Sequence, residues 1–454
     1  MREIIVSKIT FPLLARYHGL NGLSKYLREL DQSQYWPRDR LKEMQTEKLK
    51  KLLIHAYVNT VFYKQRFDDA GFNPHTFKYF DQLTKIPLLT KQDIQAKFPD
   101  LLAQNYSARQ LHCSETGGTT GVKIKFCRNN DALPLKEAAL LRFEQWAGWQ
   151  AGKSIGIIWP ARQDYVGHWT LKSRIKNAWY RREVVFPAAV LDDQNISGYL
   201  KQLKKGKPVI LRSFPSPLYE IARYIKGNGN SGISIRGIIT TGEPLFQHQR
   251  ELFMQVFGCP VYDSYRSREA GPIAQECSAQ QGLHINAESL YMETIQLDRY
   301  HNFDGGGEIV ITDLYNYGMP FIRYRMGDMG IISAESCNCG RTLPLLKCVA
   351  GRASDVLIRP DKKKISPVAL YLIDNAPVLI GQMQVIQDKI DHLIIRMTPH
   401  PPPTEELKQY HQVQIRQLFG PTMQITHEIV AEIPHEKSGK YLFTKCMLPR
   451  AEIN

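Results

Sequence analysis

Apolar positions recur at helical spacing from about Asp39 to Gly71, where Leu41, Met44, Leu49, Leu52, Leu53, Ala56 and Val58 mark one long helical stretch. "IPLLTKQDIQAKF" predicts a turn and then a helix capped near Thr90. Downstream the pattern changes. Short apolar runs, "SIGIIWP", "PVILRSF", "IRGIITTGE", "CPVYDSY" and "GEIVITDL", read as strands. Longer helical patterns, "ALPLKEAALLRFEQWAG" and "SPLYEIARYIKG", alternate with them. Strand and helix in alternation predict an α/β fold with largely parallel sheets, whose ligands bind beyond the carboxyl ends of the strands. The proline run "PHPPPTEE" separates a strand, "HLIIRMT", from a helix, "ELKQYHQVQIRQLFG", and reads as a rigid turn inside a domain. The better boundary is near "GRASD" (Gly351 to Asp355), which leaves a compact unit of domain size behind it.

Composition changes this picture little. A chain of 454 residues with 43% hydrophobic and 23% charged content suits a large domain plus a smaller one. No apolar run reaches the roughly 18 residues of a membrane span, and the N-terminus lacks a signal-peptide cleavage pattern. Both point to the cytoplasm, where the eight cysteines are expected as thiols or metal ligands rather than disulfides. Net charge matters more. At +15 it suggests either a solvated basic surface or an anionic partner. "LKSRIKNAWYRR" concentrates it, with Lys172, Arg174, Lys176, Arg181 and Arg182 beside Trp179 and Tyr180. A nucleic acid, a membrane surface or a polyphosphate ligand would be such a partner.

Candidate chemistry begins at "TGGTTG", Thr116 to Gly121. Glycines let several N–H groups point at one spot, and such a nest binds anions. Threonine hydroxyls add donors. The spacing is neither that of a P-loop nor a dinucleotide fingerprint, so a structural turn and a phosphate loop both remain open on these residues alone.

Further segments follow in order: "TTGEPL" (Thr240 to Leu245), "DSYRSREAG" (Asp263 to Gly271), "TDLYNYGMPFIRYRMGD" (Thr312 to Asp328), "GRASD", and "HEKSGKYLF" (His435 to Phe443). Together they resemble the motifs of the adenylate-forming superfamily of acyl-CoA synthetases. "FYKQRF", "IPLLTKQDI" and "AQEC…GLHINAE" resemble its phenylacetate–CoA ligase-like branch, including proteins of capsular polysaccharide clusters. The resemblance implies a large N-terminal adenylating domain over 1–351, with parallel-rich sheets flanked by helices. A small mobile C-terminal α+β domain, over 352–454, would carry the catalytic lysine.

The implied reaction is attack of a carboxylate on the α-phosphorus of ATP, with loss of pyrophosphate. On this resemblance Thr116, Gly117, Gly118, Thr119, Thr120 and Gly121 would hold the β- and γ-phosphates, and Glu269 would bind Mg²⁺. Gly242, Glu243 and Pro244 would line the adenine site. Asp263, Ser264, Tyr265, Arg266 and Ser267 would form its other side, with Tyr265 stacked on the base. Asp328 would hold the ribose, Arg352 ribose or phosphate, and Lys440 the α-phosphate and acyl carboxylate. Phe214 and Pro215 would wall the acyl pocket with Tyr265 and Arg266, and Trp159, Tyr165 and His168 would contribute. Three positions depart from the pattern. Arg266 stands at a usual glycine and Arg268 at a usual serine or threonine. Ser354, followed by Asp355, replaces the usual hinge aspartate.

Cys277, His284, Cys337 and Cys339 form a Cys₃His set fit for a closed, structural Zn²⁺ site. Buried free cysteines are the alternative on spacing alone, and the resemblance favours zinc. Cys113, Cys127, Cys259, Cys348 and Cys446 would then be ordinary thiols.

Three functions follow from this reading. The first is an AMP-forming acid–CoA ligase, using ATP, Mg²⁺ and possibly CoA. The second is an amide ligase that passes the adenylate to an amine, in polysaccharide or metabolite assembly, with a carrier protein as a further possible partner. The third is a zinc-stabilised nucleic-acid-binding module, disfavoured because no reading module is present. A homodimer stays open, and the acid itself is not specified.

Overall fold

The structure is a computed structural model. It describes residues 2–116, 124–159, 177–188, 193–229, 232–296, 306–352, 357–365, 383–399, 403–431, 433 and 443–449. Gly117, Gly118, Thr119, Thr120 and Gly121, with Tyr165, His168, Lys172, Arg174, Lys176, Ser354, Asp355 and Lys440, lie outside the described residues.

The long helical stretch is two helices, α1 (Arg38–Asn59) and α2 (Val61–Asp69). Thr60 divides them. Its backbone is extended and its hydroxyl accepts from Tyr63 N at 3.2 Å, so it ends one helix and caps the next. Leu49, Leu52, Leu53 and Ala56 enter the core as expected, whereas Val58 is exposed. α3 (Lys91–Ala96) starts where predicted. The Thr90 hydroxyl accepts from Asp93 N, and the Asp93 carboxylate accepts from Thr90 N, a reciprocal capping box.

A hairpin of β1 (Leu111–Glu115) and β2 (Lys125–Asn129) precedes α4 (Leu133–Trp146). The first strands of the main sheet are β3 (Ile155–Trp159), β4 (Glu183–Pro187), β5 (Ile210–Ser213), β6 (Gly237–Thr241) and β7 (Val261–Ser267). Then come β8 (Gly271–Glu276), β9 (Leu283–Ile285), β10 (Leu290–Ile295), β11 (Gly306–Asp313), β12 (Tyr324–Ser333) and β13 (Leu345–Arg352). They form one sheet in the order β10-β11-β12-β13-β9-β8-β7-β6-β5-β3-β4. Only β4, β3, β5, β6 and β7 run parallel, and every other pairing is antiparallel. The expectation of largely parallel sheets therefore holds for half the sheet. The alternation of strand and helix stops at β7, and short connections then force antiparallel pairing.

α5 (Pro215–Asn228) and α6 (Gln247–Phe257) cover one face of the parallel half, through Leu218, Ile221, Phe253 and Phe257 against Leu211, Ile238 and Val261. α4 covers the other, through Leu135, Ala138 and Leu141 against Ile155, Ile157 and Ile239.

Past a two-stranded piece, β14 (Leu357–Ile358) with β15 (Lys364–Ile365), a small sheet is built from four strands. They are β16 (Met383–Lys389), β17 (His392–Met397), β18 (Gln424–Ile429) and β19 (Thr444–Cys446), in the order β18-β17-β16-β19. α7 (Glu405–Phe419) packs on it through Leu407, Ile415 and Phe419. Phe443 of this unit meets Phe246 of the large one, ring centroids 5.3 Å apart. Among the described residues no helix is long and apolar enough to cross a membrane.

Two expectations fail here. Cys113 and Cys127 are not separate thiols. They are register partners across the β1–β2 hairpin and form a disulfide. Proximity set by strand register decides the matter, and a composition argument cannot see register. Arg181 is also not part of an exposed basic stretch. It is 6% exposed and its guanidinium is held by Glu144, Glu183 and Glu137. A cation buried this deep is matched by carboxylates and not offered to a partner.

Candidate active site and candidate metal centre

The Gly/Thr loop leaves β1 and returns on β2, and its neck is closed by Thr116. Thr116 N donates to Ile124 O and Ile124 N donates to the Thr116 hydroxyl, both at 3.0 Å. The hydroxyl expected on phosphate is thus also a hairpin clasp. Beside the neck, Arg268 Nη1 donates to Glu115 O at 3.2 Å, so the arginine that replaces a serine or threonine lies at the loop's mouth.

Glu269 follows the end of β7 and is 8% exposed. Tyr324 donates its hydroxyl to Glu269 Oε1 at 3.2 Å. Three cationic contacts fix the backbone around it. Arg128 donates to the carbonyls of Arg268 and Glu269, the latter from Nη2 at 2.8 Å. Lys136 Nζ donates to Ala270 O at 2.7 Å and to Asp313 Oδ2 at 2.6 Å. Three consecutive carbonyls are therefore gripped from β2 and α4. Sequence reasoning missed Arg128, Lys136 and Tyr324. Lys136 had a signal, as a lysine in a helix whose neighbours are buried.

Tyr265 and Asp328 come from strands far apart in the chain and meet directly, the phenol donating to Asp328 Oδ2 at 2.6 Å. Burial first, then the Asp328 charge, pushes the Tyr265 hydroxyl well above its ordinary pKa, so it stays a donor. Asp328 sits where the β12–β13 register shifts, next to Gly327 at φ +77°, and its cross-strand partner is Arg352. A bulge of this kind re-aims a side chain at a site.

After β6 the chain turns at Gly242, with φ +85°. A Cβ there would lie 2.4 Å from the Phe214 ring, so only glycine allows the backbone of the expected adenine loop to approach the expected pocket wall this closely. Trp159 meets the same ring edge-on at 4.6 Å between centroids. Pro215 opens α5. Pro244 is half-buried next to Glu243. The Glu243 carboxylate faces the start of α5. It accepts from Ser216 N at 3.0 Å and from the Ser216 hydroxyl at 2.5 Å, capping α5.

Arg266 donates to Ser264 Oγ at 2.7 Å and Gln275 Oε1 at 3.1 Å, on the α4 side of the sheet. Ser267 caps the next turn, accepting from Ala270 N at 2.9 Å. Asp263 faces Glu276, whose carboxylate accepts from Asp263 N and is held by Arg250. Burial, then the Glu276 charge, raises the Asp263 pKa to about 7.

The four candidate zinc ligands converge. Cys277 follows β8, His284 lies in β9, and Cys337 and Cys339 lie between β12 and β13. Their ligand atoms all fall within 4.8 Å of one another, with Cys277 and Cys337 sulfurs 3.5 Å apart and Cys339 Sγ 3.3 Å from His284 Nε2. Burial lowers the His284 pKa to about 4, which keeps the imidazole in its neutral, ligating form. The donor set fits zinc, with four protein ligands and no open position.

This arrangement of a mixed eleven-stranded sheet, a small α/β unit and a loop hairpin is the fold of adenylate-forming ligases. The structure overlays on a 2-hydroxyisobutyryl-CoA ligase in its postadenylation state, with a TM-score of 0.71 at 18% identity over 93% of this chain and 94% of that one. Residues 357–446 match the family model "CapK C-terminal domain". Protein CapK of Staphylococcus aureus is 24% identical over 414 residues, 88% of each chain. Phenylacetate-coenzyme A ligase of Thermus thermophilus is 24% identical over 359 residues, 77% of each. The resemblance carried by the sequence motifs is borne out by these relatives.

Proposed function

We propose that this protein activates a carboxylic acid with ATP as an acyl-adenylate, releases pyrophosphate, and passes the acyl group to CoA. The observation that carries this reading is a convergence of candidate site residues. Tyr265 on Asp328, the buried Glu269 and the neck of the Gly/Thr loop come from three chain segments and stand together. The phenylacetate-CoA ligase relatives and the 2-hydroxyisobutyryl-CoA ligase fold support it.

In this reading Thr116 to Gly121 hold the ATP tail and Asp328 accepts from the ribose hydroxyls. Tyr265 meets the adenine on its ring face while its hydroxyl positions Asp328. Arg352 and Lys440 bring positive charge from residues 352–454, taken as the small mobile domain. Fixed donors and cations offset the charge that develops on the phosphoryl oxygens. Glu269 suits Mg²⁺, which when bound neutralises phosphate charge. Cys277, His284, Cys337 and Cys339 hold a structural Zn²⁺.

Acid-dependent exchange of pyrophosphate into ATP, followed by CoA-dependent release of AMP, tests the two halves. Exchange without CoA-dependent turnover would leave activation standing and move the acceptor to an amine. No exchange with any acid would sink the reading.

A further inference from the structure

Ahead of α1 the chain is helical in three joined pieces, Arg2–Ile5, Val6–Thr10 and Phe11–Tyr17. One side of this helix is packed. Val6, Phe11 and Ala15 join Leu141, Trp149 and Ile155 in one buried cluster, and the Phe11 ring stacks on Tyr180 with centroids 5.0 Å apart. The Thr10 hydroxyl donates to Trp179 O at 2.6 Å. A Cβ at Gly152 would strike the Glu3 carbonyl, so the helix is closely seated. The opposite side faces solvent. Ile4, Ile9, Leu13 and Tyr17 are 62%, 54%, 59% and 75% exposed. No other helix among the described residues exposes more than one large apolar or aromatic side chain.

A π-helical turn makes these four a row. Phe11 N donates to Val6 O, five residues back instead of four. The added residue brings Ile9 onto the line of Ile4, and Leu13 and Tyr17 follow at the usual spacing of four. Single exposed apolar residues are ordinary, whereas a contiguous row marks an interaction face. A helix apolar all round belongs in a core or in lipid, and here the protein covers one side only. The charge around the row is positive. Lys8 and Arg16 are exposed beside it. Glu3, the single carboxylate in these pieces, is taken by Lys153 at 2.5 Å and Arg182 at 3.8 Å. Trp179, 39% exposed, borders the helix at Thr10. Aliphatic side chains flanked by lysine, arginine, tyrosine and tryptophan are what a helix at a lipid–water boundary presents. A second copy of this chain fits less well, since a two-fold contact would set the Lys8 and Arg16 charges of the two copies against one another.

We propose that this helix seats the protein on the surface of an anionic lipid bilayer. Ile4, Ile9, Leu13 and Tyr17 enter the headgroup region, and Lys8 and Arg16 meet lipid phosphates. The net charge of +15 draws the whole molecule to the same surface. Attachment is peripheral, because the buried side of the helix stays in the protein core. None of these residues belongs to the proposed active site, so the proposal is independent of acid activation.

The test is flotation of the purified full chain with vesicles, either of phosphatidylglycerol mixed equally with phosphatidylcholine or of phosphatidylcholine alone. Wild type should bind the anionic vesicles about tenfold or more tightly than the neutral ones, and the gap should narrow as salt screens the charge. Ile9→Ser with Leu13→Ser keeps every charge and removes apolar surface, and should weaken binding by about tenfold or more. Lys8→Glu with Arg16→Glu keeps the apolar row and should reduce the preference for anionic lipid. All four positions are exposed, so both variants should unfold at the wild-type midpoint. Absence of wild-type flotation with anionic vesicles overturns the proposal. So does undiminished binding by the Ile9→Ser, Leu13→Ser variant, since net charge alone is then the cause. Wild-type self-association that this variant abolishes, without flotation, also overturns it and makes the face a contact between copies.

Discussion

The two halves of the main sheet solve different problems. The parallel half, β4 to β7, is covered by helices on both faces, and its strands read as near-continuous apolar runs such as Ile157–Ile158 and Ile238–Ile239. It contributes shape: Trp159, Phe214 and the turn at Gly242. The antiparallel half has longer strands, β11 and β12, broken by register shifts at Glu308/Val310, Asp328/Gly330 and Ile331/Ile332. It contributes Asp328 and Tyr324 and gathers the Cys₃His cluster. Shape comes from regular structure, whereas placed charge comes from interruptions in it.

The largest expected effect strikes the antiparallel half alone. Metal analysis of protein purified without chelator should find close to one equivalent of zinc. Cys337→Ser should lose it and several kcal/mol of stability in denaturant unfolding, a share of the roughly 10–16 kcal/mol such sites supply in small peptides. Zinc-free protein of unchanged stability would erase the proposed contrast between the halves.

Chemistry comes next. Glu269→Ala and Lys440→Ala should each reduce pyrophosphate exchange by about 10²-fold or more, on the scale of losing one transition-state stabiliser. Full activity in both variants with a good acid would show the site assignment to be wrong. A smaller effect probes the parallel half. Gly242→Ala drives a methyl into Phe214 at positive φ and should cost about 1–3 kcal/mol. Phe214→Ala in the same chain should recover much of that loss; additive losses would mean the two do not share the space.

A pH-dependent effect lies at the seam between the halves. Asp263 holds its proton up to about pH 7 in the fold, against an ordinary carboxylate pKa of about 4 in the unfolded chain. Folding therefore binds a proton that unfolding releases. Stability should fall as pH rises from about 4 through 7, and Asp263→Asn should flatten that slope in unfolding curves recorded across the window.

Much of this was legible in the sequence for a physical reason. Glycine-rich turns and short apolar strands are local signals, so the loop, β3, β5, β6, β7 and β11 could be placed, as could the cap at Thr90. The ordered motifs pointed to the fold and to residues that do meet, such as Tyr265 with Asp328. What stayed hidden depends on register or on distant partners. The Cys113–Cys127 bond needs the hairpin pairing. The burial of Arg181 needs Glu144 from another element. The turn of Glu243 toward Ser216 needs α5 beside it. Local pattern carries none of these.

The grip of Arg128 and Lys136 on the carbonyls of residues 268 to 270 has a consequence for how the chain can evolve. A carbonyl is the same whatever side chain follows it. The geometry of Glu269 is thereby insulated from mutation at its neighbours, and position 268 could become arginine without displacing the carboxylate beside it. Arg128 and Lys136 hold these carbonyls without touching the side chains that give the motif its letters.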